Sequence, residues 1–259
     1  MARPSSKQTG FSLVELSIVL VILGLLVGGI LAGQSLIRAS ELRAVSTEYN
    51  RYNTAISAFR DKYFAIPGDF ANASGFGWGS YNGNGNGQLD LSTTAGSNES
   101  STIWVQLAAA GLIEGSYTNV AATSTSVCGT MTAGTNNPRS KMNSAGWNAL
   151  YLGAVDITSL IYYQGSYGNV FVFGGGTTCG TATATTGLLK SEEAWNIDTK
   201  MDDGKPDSGA WRTFESQGNA TSGSGCGTIA PAATALAASS YDLANTSATA
   251  CSFVIKTGY

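Results

Sequence analysis

The sequence predicts an α+β fold, with one long N-terminal helix followed by a head of short helices and strands. Three observations predict it. Residues 11–32 form an apolar run whose only charge is Glu15, and apolar residues then recur at helical spacing as far as Tyr63. Past Pro67 the pattern changes to short β-branched and aromatic segments separated by Gly-, Ser-, Thr- and Ala-rich stretches. Four cysteines, Cys128, Cys179, Cys226 and Cys251, lie far apart in that second part, with no C-x-x-C pair.

The 259 residues are enough for a sizeable core and one or two domains. Charged residues make up 12% and the net charge is −3, which argues against a partner held by basic patches, nucleic acid included. Histidine is absent, so the commonest general base and metal ligand is missing and most hydrolase and zinc chemistries are disfavoured. Widely spaced cysteines without zinc spacing read as two disulfides in an oxidising compartment, in one of three connectivities.

The first element is a short polar leader, residues 1–10, with Arg3 and Lys7 as its cations. The run 11–32 follows, and about 22 residues at about 1.5 Å each suffice to cross a bilayer as a helix. A secretory signal peptide has a shorter apolar part, with its small-residue cleavage site after it. Here the small residue, Gly10, comes first, so cleavage there leaves the apolar helix on the mature chain and frees an α-amine on Phe11. An acid inside such a run costs roughly 2.5–3.5 kcal/mol and calls for a partner. Glu15 lies one helical turn from Phe11. Its partner is the Phe11 amine, either of the same chain or of the next subunit in a helical array, where the meeting of opposite charges sets register.

The stretch Gly10-Phe11-Ser12-Leu13-Val14-Glu15-Leu16, preceded by Lys7 and followed by the uncharged run, resembles the cleavage and methylation signal of type IV pilins and type II secretion pseudopilins. The likeness is strongest over residues 7–33, with weaker echoes to about residue 115. It implies cleavage after Gly10 by a prepilin peptidase, N-methylation of Phe11, assembly through Glu15 and Phe11, and a structural rather than an enzymatic role. The organisation it implies is a leader at 1–10, a transmembrane or filament-core helix at 11–33, an amphipathic continuation at 34–65 and a globular head at 66–259. The fold is then type IV pilin-like: the long helix packs on an irregular antiparallel sheet whose long loops are tied by disulfides. The implied partners are an inner-membrane assembly platform and other subunits, identical or mixed, in a filament. The implied location is the inner membrane, with the C-terminal part outside the cytoplasm, and then the cell surface. The expected function is a structural subunit of a type IV pilus; a minor pilin, a secretion pseudopilin and a tip-located adhesion module stand as alternatives. Many members carry a proline near the end of the segment, where this chain has Ala32 and, around it, Gly24, Gly28, Gly29 and Gly33. Each glycine weakens a helix by up to about 1 kcal/mol and suits either bending or close helix packing.

Beyond Gly33, the residues Leu42, Val45, Tyr49, Tyr52, Ile56, Phe59 and Tyr63 form one apolar stripe expected to pack on a sheet. The segment Ala65-Ile66-Pro67-Gly68-Asp69 ends the helix. Residues 100–112 read as a short helix, and Ser191–Met201 as another with Ser191 as N-cap and Glu192 and Glu193 in its first turn. Residues 157–163, 170–173, 211–214 and 252–256 read as strands. Stretches 120–137, 174–187 and 216–235 read as surface loops. The expected disulfides are Cys128–Cys179 and Cys226–Cys251, the second resembling the C-terminal disulfide loop of many pilins.

Two acidic or amide-rich loops are candidate calcium sites. Asn82, Asn84, Asn86 and Asp90, with the Gln88 carbonyl, resemble half of a D-x-D-x-D-G loop, but Thr93 stands where the bidentate Glu belongs. A glycine–asparagine turn explains the same residues. Asp198, Asp202, Asp203 and Asp207 crowd around Gly204 and Pro206, and either calcium or a tight turn beside Lys200 and Lys205 accounts for them. No nucleophile–base arrangement stands out; Asp69, Asp90 and Glu99 are the acids from which a carboxylate pair would have to be drawn. Trp78, Tyr81, Tyr117 and Tyr167 are the aromatic loop residues with which a tip adhesin would bind a surface or sugar.

Overall fold

The computed structural model describes residues 12–92, 94, 96–121, 132–155, 162–175, 187–215, 226–228, 239–244 and 251–259. The chain divides into two units, Met1–Glu41 and Leu42–Tyr259, with the boundary inside the first helix, α1 (Leu13–Tyr63).

In the first unit, α1 is helical through Gly24, Gly28, Gly29 and Gly33 without interruption. A Cβ added at any of these four would meet nothing within 4 Å, so nothing among the described residues requires them to be small. The hydroxyls of Ser17 and Ser35 donate back to the carbonyls of Val14 and Ala32, each at 2.8 Å, which satisfies them without water. Beyond the apolar run, Arg38 pairs with Glu41 at 3.1 Å.

The second unit begins with the rest of α1. Val45, Tyr52, Ile56 and Phe59 are fully buried, as the apolar stripe predicts. The helix ends at Tyr63, and Phe64 takes a left-handed conformation (φ 53°) before Pro67. A 3₁₀ turn at Ser74–Phe76 follows, and then α2 (Glu99–Ala109), every residue of which from Glu99 to Leu107 is buried.

The sheet has four antiparallel strands in the order β1-β2-β4-β3: β1 (Ala145–Val155), β2 (Gly165–Gly175), β3 (Trp211–Glu215) and β4 (Cys251–Lys256). The last strand therefore fills the gap between β2 and β3. Pairs such as Ala149↔Phe171, Phe173↔Phe253 and Trp211↔Ile255 fix the register. Strand residues alternate between faces. Trp147, Ala149, Phe171, Phe173, Trp211, Phe253 and Ile255 join the core that α1 and α2 cover, while Leu150, Val170, Val172 and Val254 form a second cluster on the other face with Tyr167. The helix α3 (Ser191–Met201) lies between β2 and β3 in sequence.

Three sequence expectations are corrected in detail. β1 was not expected, because Ala, Gly, Asn and Leu fill most of it. Ser191 is the first helical residue of α3, not its N-cap; that position is Lys190, whose backbone N–H donates to Glu193 Oε2 at 2.9 Å. The helix expected at 100–112 starts one residue earlier and ends at Ala109. The strand expected at 157–163 and the bulk of the three loops fall largely outside the described residues. Cys128 and Cys179 also lie outside them. Cys226–Cys251 is a disulfide that ties the β3–β4 connection to the start of β4.

Candidate functional site

Gly10 and Phe11 lie outside the described residues, and the site is visible from Ser12 onward. Ser12 and Glu15 hold each other: the Ser12 backbone N–H donates to Glu15 Oε2 at 2.8 Å, and the Glu15 N–H donates to Ser12 Oγ at 3.3 Å. This is a capping box, and it places the acid on the positive end of the helix dipole. The S-x-x-E spacing was legible in the sequence but was overshadowed by the pairing assigned to Glu15. From Leu13 to Ile37 every large apolar side chain is more than half exposed. Burial is worth roughly 1.5–3 kcal/mol per Val, Leu or Ile side chain, so covering this surface is worth on the order of tens of kcal/mol. α1 is also long and apolar enough to cross a membrane.

In the head, the loop of alternating Asn and Gly residues is organised by two buried acids that sequence reasoning had not placed there. Asp69 accepts the N–H groups of Gly85 and Asn86 on Oδ1 (2.5 and 3.2 Å) and of Gly87 on Oδ2 (2.7 Å). Glu99, from the first turn of α2, accepts Asn84 N–H (2.8 Å) and Asp90 N–H (2.9 Å). Burial pushes the Glu99 carboxyl up to about 7; those two N–H bonds oppose the shift and the Asp69 and Asp90 carboxylates add to it. The Asn84 and Asn86 side-chain oxygens accept N–H groups two residues on, and their amide nitrogens donate to Asp90 Oδ2 at 3.0 and 2.7 Å. Asn82 is spent on Ser74, accepting its N–H at 2.8 Å. Two glycines permit this packing. A Cβ on Gly68 (φ 96°) would lie 2.9 Å from the Glu99 carbonyl oxygen, and one on Gly83 would lie 2.2 Å from the Asp69 carbonyl carbon. Asp69, Asp90 and Glu99 do come together, with their oxygens filled by backbone and amide donors.

Of the four acids in the last turn of α3 and just beyond it, three converge: Asp198, Asp202 and Asp203 each bring a carboxylate oxygen within 4.8 Å of the others. Asp202 Oδ2 accepts the N–H groups of Ala210 and Trp211, and Asp203 accepts Lys205 N–H and the Ser208 hydroxyl. Asp207 is not in the cluster; it accepts Ser239 N–H at 2.8 Å. Asp198 is fully buried, and its Oδ2 accepts the Tyr241 hydroxyl at 2.7 Å. Its Oδ1 has no hydrogen bond of normal geometry, although the Gly204 N–H lies close enough to favour the charge. Burial raises this carboxyl to about 7; Asp203 and Asp202 push the same way, against the Tyr241 hydroxyl and the Gly204 N–H.

The four aromatic residues proposed as a binding surface do not share one. Tyr167 is buried and donates its hydroxyl to the Tyr163 carbonyl at 2.6 Å, and Trp78 packs in a ring cluster with Phe59, Tyr63, Phe70 and Phe76.

This geometry defines a class: a protein with an exposed apolar helix long enough to cross a membrane, followed by a unit built on an antiparallel sheet. The description "prokaryotic N-terminal methylation motif" matches residues 5–31, so the chain carries the prepilin signal of type IV pilins and pseudopilins, the signal that a prepilin peptidase processes. Together with α1, this signal fits membrane anchoring before assembly. The chain matches no curated protein and no solved structure.

Proposed function

We propose that the chain is a structural subunit of a type IV pilus. It is cut after Gly10, methylated on the Phe11 amine, and assembled by bundling α1 with α1 of neighbouring subunits while the heads face outward. The observation that supports this most is the exposed apolar surface from Leu13 to Ile37, which carries one acid, Glu15, at the end next to the methylation motif. Close van der Waals packing of the helices, as they leave lipid for one another, drives the bundling. Glu15 meets the Phe11 amine of an adjoining subunit and sets the axial step, exchanging its bond to the Ser12 N–H for a full charge. The assembled subunit stands on the cell surface, and the unassembled one is a single-pass inner-membrane protein.

The test is expression with a prepilin peptidase and an assembly platform. Mass spectrometry is expected to find a mature chain beginning at N-methyl-Phe11, and electron microscopy of sheared material is expected to find filaments. Glu15→Gln keeps a capping box, since Gln serves at that position, but removes the charge. It is expected to be cut normally and to leave filaments undetectable. An uncut chain, or filaments built from the Glu15→Gln variant at wild-type abundance, refutes the proposal. Loss of secretion with no filaments on deletion selects the pseudopilin alternative.

A further inference from the structure

We propose that the loop at 82–90 is a latent modification site: its three Asn–Gly pairs can lose ammonia to become aspartate and isoaspartate, and Asp69 is the residue that holds two of them unreactive. The inference concerns the head alone and does not depend on how the chain is processed or assembled.

Asn82–Gly83, Asn84–Gly85 and Asn86–Gly87 are all of the Asn–Gly pairs in the chain, and they follow one another without a gap. In such a pair the glycine nitrogen gives up its proton and attacks the asparagine side-chain carbon Cγ. A C–N bond forms, the bond from Cγ to the side-chain nitrogen breaks, and that nitrogen leaves with the proton as ammonia. The product is a five-membered succinimide ring. One water then opens it at either carbonyl, giving aspartate or isoaspartate; in the latter the main chain runs through the former side chain. Glycine favours the attack because no Cβ shields its nitrogen or restricts its backbone. Asn82, Asn84 and Asn86 are exposed, so water reaches all three.

The fold blocks each requirement of the reaction. The Gly85 N–H donates to Asp69 Oδ1 at 2.5 Å, and the Gly87 N–H donates to Asp69 Oδ2 at 2.7 Å. A hydrogen bond to the protonated nitrogen and a negative charge beside it both oppose loss of the proton. Asp69 is buried, so water screens that charge little. The side chains are held as well. Asn84 accepts the Asn86 N–H on Oδ1 at 2.9 Å and donates from Nδ2 to Asp90 Oδ2 at 3.0 Å. Asn86 accepts the Gln88 N–H at 2.8 Å and donates to the same Asp90 oxygen at 2.7 Å. Turning either Cγ onto the glycine nitrogen, as the attack requires, breaks these bonds. Asn82–Gly83 is the internal reference. Its Gly83 N–H rests on the Phe70 carbonyl at 2.9 Å rather than on a carboxylate, and Asn82 is held by Ser74.

The experiment follows deamidation of the full chain in detergent micelles at mildly alkaline pH, native and unfolded in urea. Peptide mapping by mass spectrometry reads aspartate and isoaspartate at each site. In the wild type, Asn84 and Asn86 are expected to react at least about tenfold more slowly in the native chain than in urea, the factor that one charge-assisted hydrogen bond supplies. Asp69→Asn removes the charge and keeps the shape. It is expected to speed both sites about tenfold while Asn82 changes less than about twofold. Glu99→Gln weakens the hold on the Asn84 and Asp90 N–H groups but leaves both glycine N–H groups on Asp69, and is expected to change the two rates less than about twofold. The inference is overturned if Asn84 and Asn86 react at similar rates in the native and unfolded wild type, if Asp69→Asn leaves them unchanged, or if Glu99→Gln speeds them as much as Asp69→Asn does. Should Asp69→Asn unfold, seen as lost circular dichroism and an equal rise at Asn82, hydrogen exchange of the wild type decides, because it passes through loss of the same amide proton. Gly85 and Gly87 are then expected to exchange at least about tenfold more slowly than in the unfolded chain, and exchange at the unfolded rate overturns the inference.

Discussion

Replacing Asp198 by Asn should stabilise the head at pH 8 and not at pH 4. Asp198 is fully buried, with its ordinary carboxyl value of 3.8 raised to about 7, first by burial and then by the nearby Asp203 and Asp202. Below about pH 4 the group is protonated whether the chain is folded or not, and it costs nothing. As pH rises above 3.8 the unfolded chain ionises first, so stability falls, and the loss is complete above about 7. That interval corresponds to roughly 4–5 kcal/mol at about 1.4 kcal/mol per unit. An amide removes the charge, keeps an acceptor for the Tyr241 hydroxyl and offers a donor to the neighbouring carboxylates. Against this, the hydrogen bond from Tyr241 weakens by about 1 kcal/mol when its acceptor becomes neutral. The net expectation is a gain of about 3–4 kcal/mol at pH 8, or about 6–16 °C in Tm for a unit of this size. The assay is thermal unfolding of the full chain in detergent with a chelator present, followed by circular dichroism from pH 4 to 8. A variant that is less stable than the wild type at pH 8, or shifted equally at both ends of the range, refutes the argument that the buried charge is the cause.

Three further outcomes are expected. Cys226→Ser with Cys251→Ser opens a bridge spanning 25 residues, which the chain-entropy estimate puts at about 3.5 kcal/mol, read as a fall of about 7–14 °C in Tm. Glu48→Ala leaves two donors unmet in the core, the Lys141 N–H (2.8 Å) and the Trp147 indole N–H (2.7 Å), and should cost about 3 kcal/mol in denaturant unfolding, while Glu48→Gln should cost less than half of that. Millimolar calcium should move the Tm of the full chain by less than about 1 °C, because the Asn84, Asn86, Asp202 and Asp203 oxygens already accept protein donors. A saturable heat of calcium binding lost in Asp202→Ala would instead assign an ion to the cluster at the end of α3.

The parts legible in the sequence were those that follow from a local pattern. α1 and α3 declare themselves by a 3.6-residue period and by charged first turns, and β2, β3 and β4 by runs such as Val170-Phe171-Val172-Phe173 and Phe253-Val254-Ile255. β1 did not, because its Ala-Gly-Trp-Asn-Ala-Leu-Tyr stretch has little strand propensity of its own; it is a strand because Trp147 and Ala149 face the core while pairing with Phe173 and Phe171. The candidate site divides the same way. Glu15 was conspicuous as a charge in an apolar run, while its bond to Ser12 required attention to a spacing three residues long. The loop at 82–90 invited a cation reading because side chains bearing oxygen recur at alternate positions, Asn82, Asn84, Asn86, Gln88 and Asp90. The acids that organise it come from 13 or more positions upstream and from α2, which only the folded chain brings together.

Those acids share one physical role. Glu48, Asp69, Glu99, Asp202 and Asp203 each accept at least one backbone N–H, and each accepts two or more donors in all. Charge-assisted bonds of this kind are about twice as strong as neutral ones and fix a loop from inside, independently of a mobile cation on its surface. The chain can therefore carry long Gly-, Ser- and Asn-rich connections with charged residues at only 12%. Arg38–Glu41 is the ion pair found among the described residues, and it lies outside the head unit. Surface pairs weaken with salt, whereas the buried carboxylates among those acids, Glu48, Asp69 and Glu99, are screened far less; Asp202 and Asp203 are exposed. The loop that Asp69 and Glu99 hold, at 84–90, is therefore tied by bonds that salt weakens little. The acid in α1 follows the same rule: Glu15 accepts the backbone N–H of Ser12 at the start of its own helix.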